Sequence, residues 1–126
     1  FRRATYATEA GRPAQPVLIS RDPWLQMLLS AEDVAGEPCL IARLRRARRA
    51  RDLPVSHIAA SFGLSRSEAR LAVLICDGCS LQDAARDLGW TIETTRSYSK
   101  QIFARMGVSG QSGVVRRMLE SAVWLA

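Results

Sequence analysis

The chain has 126 residues, 48% hydrophobic and 24% charged, and its eighteen Lys and Arg against twelve Asp and Glu leave a net charge of +6 at pH 7. It is long enough to bury a real core, and it contains no apolar run near the ~20 residues of a membrane span and no signal-peptide pattern. One histidine, acids placed mostly at helix starts and the lack of a glycine-rich phosphate loop leave no nucleophile and base constellation, so neither enzymatic activity nor a cofactor is expected.

In chain order, residues 2–8 (RRATYAT) and 16–20 (PVLIS) are short β-prone runs separated by Gly11-Arg12-Pro13, which predicts a hairpin. Two strands alone are marginal unless they pack on something. Because the chain opens at Phe1 and not at Met, two readings stay open: the trailing edge of a removed sensor domain, or an ordinary arm lying on the helices. Asp22-Pro23 then predicts a helix start, with Trp24, Leu25, Leu28 and Leu29 as its apolar side.

After the break at Gly36-Glu37-Pro38, residues 39–51 (CLIARLRRARRAR) predict a helix with Leu40, Leu44 and Ala47 on one face and six arginines around the rest. Such a face is either simply solvated, or meets an acidic partner, anionic lipid or DNA. DNA is the simplest functional choice, with Arg45, Arg48 and Arg49 as backbone contacts; no membrane partner is expected. Residues 54–62 form one more short helix closed by Gly63, which divides the chain into a helical arm, 1–63, and a second domain, 64–126.

That second domain carries the clearest local signals. Ser65 with Glu68 three residues on is a capping box for a helix bearing Leu71, Leu74 and Ile75, closed by Gly78. Ser80 caps a short helix with Leu81, Ala84, Ala85 and Leu88 on one face, and Gly89 ends it. Thr91 caps a helix from Ile92 to about Met106, ended by Gly107. On that helix Glu93, Arg96, Ser97 and Lys100 form a polar stripe, while Ile92, Thr95, Ser99, Ile102, Phe103 and Met106 lean the other way. A last helix, within residues 109–126, has an apolar stripe of Val114, Val115, Met118, Leu119, Ala122 and Val123, broader than one small domain needs to bury.

From Leu64 to about Leu119, a little under half the chain, the sequence resembles the LuxR-type (GerE-like) helix-turn-helix domain of bacterial transcription regulators. Leu64, Ser65 and Glu68 match the opening of the family pattern, Gly78 its first turn, Ser80, Ala84 and Ala85 its second helix, and Gly89 the central turn. Thr94, Arg96 and Lys100 match its recognition helix and Gly107-Val108 its exit. The resemblance implies a mainly α chain: a four-helix DNA-binding domain preceded by a helical arm with a short β-hairpin. It departs from the pattern at Thr95, Tyr98, Ser99 and Gly113. Thr95 and Ser99 take positions that are usually apolar, so either their hydroxyls bond back to carbonyls four residues earlier or the helix is less firmly seated.

Charge follows the same division. Residues 64–90 are net −1, whereas residues 91–118 carry five cations against Glu93, net +4. This places a positive field where the resemblance puts double-stranded DNA. Thr91, Glu93, Thr94, Arg96, Ser97 and Lys100 are the expected DNA-binding residues, with Arg96 the first choice for gripping a guanine through two acceptors. Val114, Val115, Met118 and Ala122 are the expected homodimer interface. An alternative function is a docking module for RNA polymerase or another regulator, bound through the basic helices.

Cysteines 39, 76 and 79 are expected to stay reduced in the cytoplasm. Cys76 and Cys79 have CxxC spacing, but the distance along the chain to His57 fits no common zinc finger, and no metal is expected.

Overall fold

A computed structural model describes residues 13–125; the predicted strand at 2–8 lies outside the described residues. The chain divides into two compact units between Arg48 and Arg49. Gly63, expected to separate the domains, therefore sits inside the second unit.

Among the described residues the first unit is a three-stranded antiparallel meander of β1 (Gln15–Arg21), β2 (Trp24–Val34) and β3 (Glu37–Arg46), with β2 in the centre. This corrects the expectation of a helical arm: of the two segments predicted as helices, residues 24–34 and 39–46 are strand, and only a 3-10 turn at Ala50–Asp52 is helical. Asp22-Pro23 does not cap a helix but makes the two-residue turn closed by the Arg21 and Trp24 pair. Along β2 the side chains obey a period of two, with Met27 and Leu29 buried and Gln26 and Leu28 exposed. The run WLQMLLS satisfies helical and strand spacing equally well, and cross-strand pairing decides the outcome. At the next turn Ala35 and Gly36 both take positive φ, 56° and 83°, as a tight two-residue hairpin requires, and Asp33 Oδ1 accepts the Gly36 N–H at 2.8 Å.

In β3 the arginines follow the strand and do not ring a helix: Arg43 and Arg45 share one face and Arg46 takes the other. Arg43 lies across from Leu28 and reaches along the sheet to Glu32 Oε1 at 2.8 Å and Ser30 Oγ at 2.9 Å. The Ser30 hydroxyl, followed by Arg43, holds the Glu32 carboxyl below its ordinary pKa.

The second unit contains α1 (Val55–Phe62), α2 (Arg66–Cys76), α3 (Leu81–Leu88), α4 (Ile92–Met106) and α5 (Gln111–Glu120), preceded by a 3-10 turn at Ala50–Asp52 and followed by another at Ala122–Leu125. The molecule is thus mixed helix and sheet. Helix starts are set by local chemistry. Ser65 Oγ accepts the Glu68 N–H at 3.1 Å while Glu68 returns the bond to Ser65 N–H at 3.0 Å, and Ser80 and Thr91 cap α3 and α4 through the N–H groups of Asp83 and Thr94. Gly89, between α3 and α4, has φ of 70°, a conformation in which an L side chain is strained.

The core gathers Ile58 from α1, Leu71 and Ile75 from α2, Ala84 from α3, Ile102 from α4, and Val114 and Met118 from α5. Two buried carboxylates tie distant segments to it. Asp77 accepts the Ala50 N–H at 2.6 Å, the Arg51 N–H at 3.2 Å and the Arg51 Nε at 3.0 Å. Glu68, besides its capping role, pairs with Arg105 Nε at 3.2 Å, and Arg105 also donates to the Gly63 carbonyl at 3.1 Å. The Glu68 carboxylate is out of water while Arg105 stays half exposed, and the capping bond gives the buried carboxylate a second partner.

Candidate nucleic-acid interface

The α3, Gly89, α4 segment is a helix-turn-helix in which α4 presents one face to the core and the other outward. Thr95, Ser99, Ile102 and Met106 are buried, whereas Thr91, Glu93, Thr94, Arg96, Ser97 and Lys100 are all exposed. The structure therefore gathers the six sequence-predicted contacts onto one surface. The fifteen residues of α4 span about 22 Å at 1.5 Å per residue. That is sufficient to lie along a DNA major groove.

The two hydroxyls on the inward face are satisfied locally. Thr95 Oγ1 donates to the Thr91 carbonyl at 2.9 Å, four residues back, and Ser99 Oγ donates to the Arg96 carbonyl at 2.7 Å, three residues back. With those bonds made, burying the hydroxyls carries no penalty for unpaired polar atoms, and none is left unsatisfied among the described residues. A contact that the sequence reading missed braces the start of α4: the rings of Trp90 and Tyr98 stack with centroids 4.8 Å apart and planes 26° from parallel. Such a pair adds about 0.5–1.5 kcal/mol beyond its buried area. The signal was available, since a tryptophan just before a helix cap and a tyrosine two turns on meet when the chain enters the helix sharply.

Electrostatically the outward face is open. Neither Arg96 nor Lys100 has an ion-pair partner among the described residues, while Arg51, Arg105 and Arg116 are engaged with Asp77, Glu68 and Glu120. At the N-terminal end Thr91 Oγ1 donates to Thr94 Oγ1 at 2.9 Å, so the Thr94 hydroxyl keeps its own proton to give outward, where the helix dipole also favours an anion.

The expected backbone arginines do not form one helical face. Arg45 is on β3, Arg48 closes the first unit, and Arg49 opens the second with its N–H held by Asp52 Oδ2 at 3.2 Å.

The expected dimer face also divides. Val114 and Met118 are fully buried within their own unit and are not available to a second copy; Val115 is half-buried and Ala122 exposed. The stripe looks too broad only while the last segment is taken as one straight helix. Beyond Glu120 the chain turns back, Ser121 Oγ and Trp124 Nε1 both donating to the Met118 carbonyl at 2.6 and 2.7 Å, which folds Val123 into the core. The large apolar side chains left outside are Leu119, 60% exposed, and Leu125, 87% exposed.

The cysteines show no metal geometry: among the described residues no group of three His, Cys, Asp or Glu side chains stands close enough to hold an ion. Burial, then the neighbouring Asp77, pushes the Cys76 thiol up to about 11, the opposite of an activated thiol. No helix among the described residues is long and apolar enough to cross a membrane.

No protein-family model matches the sequence, and no curated protein matches it. Among solved structures, the chain is similar to the Vibrio cholerae VqmA dimer, described in terms of the DNA binding of LuxR-type receptors, with a TM-score of 0.47 and 13% identity over 79% of this chain and 48% of that one. It is also similar to a phage VqmA complex with DPO, at 0.48 and 12% over 99% of this chain and 61% of that one, and to a VqmA, ligand and DNA complex from Vibrio cholerae, at 0.44 and 15% over 97% and 60%. The chain spans about half to three-fifths of the length of these structures.

Proposed function

We propose that the chain is a LuxR-type regulator of bacterial transcription that binds double-stranded DNA in a sequence-specific way in the cytoplasm, with α4 in the major groove. The observation that carries this reading is the division of α4: a buried side fastened by its own hydroxyl bonds, and an outward side on which Arg96 and Lys100 are free of ion pairs among the described residues.

Each side chain takes a role suited to its chemistry. Arg96 has a planar fork that matches two acceptors on a guanine edge; Lys100, a point charge one turn on, neutralises a phosphate. Thr94 and Ser97 donate hydroxyls to phosphate or base edges, and Glu93 accepts from a cytosine amine or repels misplaced phosphates. The chain acts as a homodimer on a two-fold site. Because Val114 and Met118 are committed to the core, the copies meet through the outer side of α5, where Val115 and Leu119 remain, and through Ala122 in the turn that follows it.

The test is duplex binding measured across a salt series. With six or more phosphate contacts, affinity falls roughly 10³-fold or more between about 50 and 200 mM salt. Arg96→Ala costs about 1–3 kcal/mol and relaxes preference at one base, whereas Lys100→Ala weakens all sequences alike and lowers the salt slope by about 1. Unchanged binding in both variants overturns the groove assignment.

A further inference from the structure

Away from the α4 surface, the second unit has an open cleft of about 250 Å³ bounded by α1, α2, α3 and the 3-10 turn that opens the unit. Its floor is apolar: Val55 from α1, Val73 and Leu74 from α2, and Leu88 from α3. Its rim is charged, with Arg51 and Arg70 against Asp87, and no residue of α4 lines it.

The two arginines are placed differently but leave the same chemistry outward. Arg51 is anchored from behind, its backbone N–H and Nε both given to Asp77, so that its terminal Nη groups have no bond among the described residues. Asp77 keeps that guanidinium firmly protonated. Arg70 is exposed and has no ion pair among the described residues, and Arg66 stands one turn before it on the same side of α2.

Volume and polarity together narrow the occupant. Pockets for small metabolites run from about 300 to 1,000 Å³ and enclose their ligand; this cleft is smaller and open, the size of one or two apolar side chains. Nucleic acid would leave the apolar floor unfilled. We infer that the cleft is a protein-docking site that takes a leucine-sized anchor flanked by carboxylates from an acidic segment of another protein, the apolar side chain resting on Leu74 and Leu88 and the acids meeting Arg70 and Arg51. Because α4 is not part of it, the partner binds whether or not α4 is occupied, and the inference does not rest on the DNA reading.

The experiment uses the full chain and a labelled helical peptide with two leucines four residues apart, flanked on both sides by glutamates. The expected result is amide shifts centred on Leu74 and Leu88, binding weakened at least about tenfold by Arg70→Glu, and recovery when the peptide flanks are changed to lysine. Arg116→Glu, an exposed arginine on α5, should change peptide affinity less than about twofold. The inference is overturned by any of four outcomes: no shifts at these residues at about 1 mM peptide; equal loss in Arg116→Glu, which marks non-specific charge attraction; release of a dimer on peptide addition, which marks the cleft as an interface between copies; or loss of DNA binding in Arg70→Glu with peptide binding intact, which makes Arg70 a phosphate contact. Arg96→Ala separates the two accounts, since it should weaken duplex binding and relax its preference at one base while leaving peptide binding unchanged.

Discussion

At the scale of single residues, polar side chains turned toward the core behave according to their surroundings. Thr95 and Ser99 sit where apolar side chains are usual, yet each is buried and each hydroxyl returns to a carbonyl of its own helix, so α4 stays seated with a slightly polar underside. Cys76 shows the opposite use of burial, which here suppresses chemistry. Its thiol titrates near 11, so at pH 8 only about a thousandth is thiolate. Alkylation followed by mass spectrometry should therefore modify exposed Cys39 well before Cys76; equal rates would contradict the assignment. The linkage has a definite sign. The unfolded thiol ionises near pH 9.0 and the folded one only near 11, so its contribution to stability is complete below about 9 and is lost as pH rises through that window.

At the scale of elements, the contrast between the two halves shows what a sequence makes legible. Caps are local: Ser65 with Glu68, Ser80, Thr91, and the terminating Gly63, Gly89 and Gly107 all act where their spacing places them, because a hydroxyl needs only an amide two or three residues away. Of the meander only β1 was legible, in the β-prone run 16–20. Residues 24–30 fit two periodicities, and the arginines of β3 look like a helix face until pairing with β2 holds them in a strand. Long-range carboxylate bonds were equally hidden: nothing near Asp77 in sequence announces Ala50 or Arg51, and nothing near Glu68 announces Arg105.

Gly113 gives an element-scale prediction. A methyl group added there would lie 2.7 Å from Val108 Cβ and 3.1 Å from its Cγ1, too close without moving the loop before α5. Alanine would favour the helix intrinsically by about 1 kcal/mol, but the overlap should reverse the sign. Gly113→Ala should destabilise by about 1–3 kcal/mol in denaturant unfolding; a more stable variant would show that the close approach does not constrain α5.

For the whole molecule, the partition of the last segment matters most, because it separates the side chains that build the core from those left outside it. Met118 is core, so Met118→Asp should unfold the second unit and report nothing about assembly. Leu119, on the outer side of α5, is the informative position. Leu119→Asp should retain its helix content and sediment as a monomer where the native chain sediments as a dimer at tens of micromolar; dimers in both would place the contact elsewhere.

Function at this scale rests on whether the outward side of α4 reads base sequence. Selection of bound duplexes from a random pool, run in parallel with the native chain and with Arg96→Ala, tests that directly. The account predicts a two-fold-symmetric motif containing a guanine in each half-site, with the preference for that guanine lost in the variant while the rest of the motif persists. Recovery of no motif, or of the same guanine preference from Arg96→Ala, would contradict it.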